Sequence, residues 1–171
     1  MKKNPGYGFI ERFSLSPHVE GGFYRRTYES PQKIEIEGKP PRAVMTAIYY
    51  LLMGRDFSTF HRLDVSEIWH YYQGNTPLIL HVFDPQGKYR KVILSPAHEF
   101  QHPIPAQSWF AAELVEKTDL NYVLVGCSVA PEFMFEYLEM GDRTALCREF
   151  PEHADLIRSL TREAQEPCLQ N

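Results

Sequence analysis

The stretch HRLDVSEIWHYYQG, residues 61–74, decides how the rest of the chain is read. It sets His61 six positions before Glu67, adds Trp69, His70, Tyr71 and Tyr72, and closes on a turn at Gly74. A plain strand needs less chemistry than this. In an extended chain successive side chains point to opposite faces, so Trp69 shares the face of Glu67 while His70 falls on the other. Only a bulge would bring His70 back to the first face. The stretch therefore reads as a strand with reactive groups and aromatic rings side by side.

Working outward, the neighbouring segments are also strand-like. AVMTAIYYLLM (43–53) is β-branched and aromatic, and TPLILHVFD (76–84) lies between a Gly-Asn-Thr-Pro turn and the turn DPQGK. KYRKVIL (88–94) alternates, and NYVLVGCSVAP (121–131) is a continuous apolar run, as expected of a strand buried on both faces. EFMFEYLEM (132–140) alternates as well and is read as a last strand. Between residues 30 and 42, Ile34 and Ile36 form a short alternating piece, and Pro40-Pro41 is read as a stop. Seven or eight strands spaced roughly ten residues apart favour an all-β sandwich or barrel. Helices are expected only at the ends. FIERFSL suits a short N-terminal helix, and DRTALCREF and PEHADLIRSLTREAQ suit helices over about 142–165. Asp142 is placed to cap the first of these and Pro151 to open the second. The stripe Leu156, Ile157 and Leu160 is expected to pack on the outside of the β-domain.

The bulk numbers fit one domain spanning 1–171, with its barrel core at about 20–140. A chain of 171 residues buries roughly 70% of its unfolded surface without staples. No run of 18 apolar residues predicts a membrane span, and the N-terminus lacks the apolar core of a signal peptide. Net charge is −4, from 18 basic and 22 acidic residues, with no basic run, which argues against nucleic acid as a partner. Cys127, Cys147 and Cys168 show no CxxC spacing and read as reduced thiols of a cytoplasmic protein. Aromatic residues make up 13% of the chain, which suits a small-molecule pocket as well as a core.

The stretch from His61 to Gly74 resembles the first cupin motif, with Leu63 where a second histidine would stand. PAQSWF (105–110) resembles the second motif, with Gln107 in place of its glycine and Phe110 in place of its histidine. PHVEGGFYRRTY (17–28), AIYYLL, CSVAPEFMFEYLEM and the closing LTRE also resemble blocks of one branch, the Cupin_5 or DUF985 family. That resemblance implies a double-stranded β-helix, a jelly-roll barrel similar to deoxysugar epimerases of the RmlC type, and a homodimer. It implies no agreed reaction.

Cupin metals sit on three histidines and a glutamate. Only His61 and Glu67 of those four positions are kept here, so a resident metal is not expected; were one bound, these two residues would hold it. Without metal, a neutral imidazole beside a carboxylate can move a proton near neutral pH. His61 and Glu67 are thus the candidate catalytic pair, with the carboxylate expected to raise the histidine pKa. The alternative is a core histidine bonded to a core glutamate. Candidate ligand-binding residues are Glu20, Arg25, Tyr50, Trp69, His70, His81, Trp109 and Phe110. Gly21-Gly22 gives a flexible turn after Glu20, and an inward arginine at 25 or 26 would clamp a carboxylate or phosphate. Trp69 and Trp109 suit stacking on a sugar or base. Phe110 makes its part of the hollow apolar, and His81 is either a pocket residue or a buried neutral histidine. His18, His98, His102 and His153 are read as solvated, and Cys127 as an inert core thiol. The expected partner is a small, polar, sugar-like organic ligand. The expected activity is a metal-independent epimerase or isomerase on a sugar or sugar nucleotide, with the His/Glu pair working against an acidic tyrosine, for which Tyr49, Tyr50, Tyr71 and Tyr72 are open candidates. A non-catalytic metabolite-binding module and a metal-dependent oxygenase or isomerase are the alternatives.

Overall fold

The computed structural model describes residues 3–162; Cys168 and the last three residues of the expected C-terminal helix lie outside them. The elements in chain order are α1 (Tyr7–Phe13), β1 (Ser16–Pro17), β2 (Phe23–Glu29), β3 (Lys33–Ile36), β4 (Lys39–Ala43), β5 (Thr46–Met53), β6 (Phe57–Leu63), β7 (Ser66–Gly74), β8 (Leu78–Phe83), β9 (Tyr89–Leu94), β10 (Gln101–Ile104), β11 (Trp109–Leu114), β12 (Tyr122–Ala130), β13 (Leu138–Met140), α2 (Arg143–Glu149) and α3 (Ala154–Ser159). A six-stranded sheet runs β1-β2-β5-β12-β7-β10, and a five-stranded sheet runs β13-β6-β11-β8-β9. Their inner faces meet as the jelly-roll barrel that the sequence implies.

The period-two patterning decides which side chains meet. Tyr50, Leu52, Trp69, Tyr71, Val123, Val125 and Cys127 from the first sheet pack on Leu78, Leu80, Val82, Phe110, Ala112 and Leu114 from the second. Fully burying one such large side chain contributes about 1.5–3 kcal/mol. β12 is apolar throughout because it is covered on both faces: its inner side meets this core, while Leu124 packs with Leu51 under Phe9, Ile10 and Phe13 of α1. At the other end Asp142 caps α2 by accepting from the Ala145 N–H at 2.7 Å. Leu146, Phe150, Ile157 and Leu160 then cover Phe60, Phe83 and Trp109 on the outer face of the five-stranded sheet, as the apolar stripe anticipates.

Three expectations are corrected. β4 runs through Pro40-Pro41, which therefore does not stop regular structure; a two-stranded ribbon with β3 leaves edges where a missing N–H costs nothing. EFMFEYLEM is a strand only at Leu138–Met140, after a 3₁₀ turn at Phe135–Tyr137. The strand count exceeds seven or eight because short edge pieces such as β1, β4 and β10 are too brief to show a period.

The β3–β4 ribbon is tied to the barrel by charge. Arg42 is fully buried, and its guanidinium donates twice to Asp64, at 3.1 and 2.7 Å. It also lies 3.9 Å over the Tyr137 ring.

Candidate functional site

A cavity of about 480 Å³ opens between the sheets, lined among others by His18, Glu20, Tyr24, Tyr50, Glu67, Trp69, Cys127, Phe133 and Phe135. The strands β5, β7 and β12 supply Tyr50, Glu67, Trp69 and Cys127 by simple alternation. Glu20 arrives differently, on the turn that links β1 to β2. Gly21 and Gly22 hold that turn at φ 110° and 65°, where L side chains are strained. A Cβ on Gly22 would lie 2.6 Å from the Leu51 carbonyl oxygen, and one on Gly21 would collide with the Phe57 carbonyl. Glycine alone lets this turn press onto the barrel. Tyr50 Oη then donates to the Gly21 carbonyl at 2.7 Å, and the Gly22 N–H donates to Asp56 at 2.7 Å.

The structure brings His61 to Glu20 where the sequence suggested Glu67. His61 Nε2 lies 3.4 Å from Glu20 Oε2, and its Nδ1–H donates to the Thr59 carbonyl at 2.8 Å, which leaves Nε2 as a bare lone pair. The His61 ring rests on Phe110 at 4.0 Å, and neither residue lines the cavity. On the other side of Glu20, His18 Nδ1 stands 3.6 Å from the same carboxyl oxygen, and Ser58 donates to it at 3.2 Å. Glu67 accepts from Trp69 Nε1 at 2.8 Å.

Burial dominates the acid–base character of these groups. It raises Glu20 from 4.5 to about 7, against the attraction of His18 and the Ser58 bond. Glu67 rises to about 8 through burial and then the nearby Glu20 charge. His61 moves opposite to expectation, down to about 4, because burial disfavours the imidazolium more than its carbonyl partner favours it. Burial lowers His18 too. Carboxyls whose folded pKa is raised stabilise the fold most below their unfolded value, and that stability is lost as pH rises through the folded pKa. A histidine with a depressed folded pKa does the reverse, losing stability as pH falls from 6.5 towards 4. Above pH 6.5 the carboxyls outweigh the small remaining gain from the histidines, so urea unfolding should show the protein weaker at pH 8 than at pH 6.5 by about 2 kcal/mol. Glu67→Gln should remove most of that fall, and an unchanged slope in this variant would refute the assignment.

Other expected ligand residues lie elsewhere. His81 faces outward from β8, with Nδ1 2.8 Å from Tyr89 Oη and Nε2 3.1 Å from Glu113. It is a buried, bonded histidine outside the cavity, as its i+2 relation to Phe83 dictates. Trp109 packs under α2 and α3 with Arg62 over its ring at 4.5 Å. His70 takes the outer face of β7 and meets Ser128 at 3.2 Å; no bulge reverses it. Phe110 backs His61 from within the core. Arg25 and Arg26 both reach the cavity wall; Arg25 donates to the Phe13 carbonyl at 3.0 Å, and Arg26 pairs with Glu29 and Glu132. Cys127 is a buried thiol as expected, yet it too lines the cavity. His18, read as solvated, has a side chain only 5% exposed and lines the cavity. Its turn-like surroundings hid it; the proximity of the glycine pair was the one available signal.

The family model described as Cupin superfamily (DUF985) matches residues 8–141. The chain belongs to the DUF985 family of cupins. A Shewanella oneidensis protein of known crystal structure is 30% identical, with a TM-score of 0.81 over 94% of this chain and 99% of the other. A hypothetical protein from Leishmania major is 29% identical, with a TM-score of 0.84 over 94% and 100%. Oxalate decarboxylase from Bacillus subtilis shares the cupin fold at 11% identity, with a TM-score of 0.55 over 88% of this chain and 37% of that one. A search of curated proteins gives no match. The cupin metal positions are poorly filled in this DUF985 chain: Leu63 presents an apolar wall to the cavity, Phe110 packs a tilted ring against His61, and Glu67 is engaged by Trp69. Among the described residues no group of three or more His, Cys, Asp or Glu side chains is arranged to hold a metal ion, so these residues do not fit the four-ligand cupin centre. Among the described residues no helix is long and apolar enough to cross a membrane.

Proposed function

We propose that this DUF985 cupin binds a small, polar, sugar-sized organic molecule in its barrel and moves a proton on it, as an epimerase or isomerase does. The observation that carries this reading is a pair of enclosed carboxyls, Glu20 and Glu67, facing one ring-lined cavity with pKa values near 7 and 8. Groups poised near the working pH are the efficient acids and bases. Glu20 in its carboxylate form takes a proton from a carbon next to a carbonyl, and the C–H electron pair moves into an enolate. Glu67, held as the neutral acid, supplies an O–H donor to the developing oxyanion. A proton given to the opposite face by Glu67, which recovers the proton held on Glu20 through solvent, gives an epimer; where the carbon carries a hydroxyl, passage of that hydroxyl proton to the enolate oxygen and of the Glu20 proton to the former carbonyl carbon gives an isomer. No co-reactant is needed. His61 is then a positioning residue: its Nε2 lone pair accepts from Glu20 once that carboxyl is protonated. Trp69, Tyr24, Phe133 and Phe135 offer faces to a sugar ring, and Arg25 a cation for an anionic end.

The test is solvent-deuterium wash-in. Keto sugars, their phosphates and nucleotides, and 2-oxo acids are incubated with the protein in D2O and followed by NMR. Enzyme-dependent exchange at a carbon beside the carbonyl is expected. Exchange in none of them, together with an unaltered small molecule eluting from the purified protein, would replace this reading with a non-catalytic metabolite-binding module.

A further inference from the structure

The two histidines that flank Glu20 are held in opposite tautomers. His61 donates from Nδ1 to a carbonyl, so its bare nitrogen is Nε2. His18 Nδ1 instead accepts from the Glu20 backbone N–H at 3.3 Å. A ring nitrogen that accepts cannot carry the proton of a neutral imidazole, so the His18 proton sits on Nε2. No protein group among the described residues takes that proton in a hydrogen bond, although the side chain is only 5% exposed. The ring is clamped on its other sides by Tyr24 at 4.5 Å, Phe135 at 5.7 Å, Tyr50 at 6.0 Å and Phe133 at 6.3 Å. It lines the cavity together with Glu20 and Glu67. Nε2 is not closed off by protein, and the cavity that the ring lines is an open side where a ligand can meet it.

We infer that His18 is the donor that reads the ligand: its Nε2–H meets an acceptor oxygen, and it selects ligands that present a carbonyl oxygen over those that present an alcohol. A neutral imidazole N–H is suited to polarising a carbonyl. With Glu67 it supplies a second donor in the same hollow, so an oxygen gaining negative charge is met by N–H and O–H donors. This rests on the proton-transfer reading for its chemistry, but the donor role itself can be measured without turnover.

The full chain, labelled with 15N, gives the tautomer of each histidine from long-range imidazole correlations at neutral pH. His18 is expected protonated at Nε2 and His61 at Nδ1; a His18 signal protonated at Nδ1, or at both nitrogens, overturns the assignment. The probes are then D-ribulose 5-phosphate, an open-chain keto sugar, and D-ribitol 5-phosphate, its alcohol counterpart. The His18 Hε2 and Nε2 resonances should shift with the ketone, which should bind at least tenfold more tightly than the alcohol. No shift with either, or equal affinities, overturns it. His18→Phe keeps a packed ring without the donor and should abolish the preference; His18→Gln, which restores an N–H near the same place, should recover most of it. A preference that survives His18→Phe would assign the selectivity to another group. If the ketone shifts His18 but no deuterium enters any carbonyl compound, the donor role stands and the proton-transfer reading falls.

Discussion

Replacing Glu20 with glutamine should slow deuterium wash-in by about 10²–10⁴-fold, the usual worth of a positioned acid–base group. The amide has nearly the same volume as the carboxyl and can still accept from Ser58, so the turn that carries it should persist. It cannot take a proton from carbon. The comparison with Glu67→Gln is informative, because an amide at 67 keeps an N–H donor and should slow exchange far less. Thermal unfolding above pH 7 checks that the variant is folded: Glu20→Gln removes a buried group that would otherwise ionise there, so stability should hold or rise. A folded Glu20→Gln protein that exchanges within about threefold of the parent would remove Glu20 from the chemistry.

The second large effect is on stability. Asp64→Ala should cost about 3 kcal/mol in urea unfolding, and lower the melting temperature by about 6–12 °C for a chain of this size. Arg42 is fully buried, and among the described residues its Nε has no hydrogen-bond partner, so Asp64 and the Tyr137 ring carry its compensation. Although burial pushes the Asp64 carboxyl up, the bonds from Arg42 and Lys39 outweigh it and hold the group below its ordinary value. Removing the aspartate strands a guanidinium in the interior. Replacing both partners, with Arg42→Met added to Asp64→Ala, should recover much of the loss, because the unpaired charge goes with the pair. A double variant no better than the single one would mean that the ring stacking, not the ion pair, secures the ribbon.

How far the sequence could be read follows from the physics of each element. Alternation placed Trp69 on the face of Glu67 and His70 on the opposite one, since strand geometry is strict; it left open which tyrosine faces the hollow, and the structure puts Tyr50 there. The same rule applied to β8 puts His81 beside Phe83, outside the barrel, and the i+2 neighbour was the clue. Trp109 could not be settled by pattern, because the helices that cover it fold back from residues 143–160. The pairing of His61 was missed for a deeper reason. It is a long-range contact between a strand and a turn, and Glu20 and His18 lie in a segment without period. Only the glycine pair marks that segment as pressed against something.

The origin of the reactive groups has a practical meaning. The barrel strands provide the walls, the indole and Glu67, while a short glycine-anchored loop delivers His18 and Glu20 as a removable insert. A library confined to residues 18–20 would vary the warhead and leave the scaffold intact, so this protein offers a starting point for engineering new reactivity in a ready-made housing.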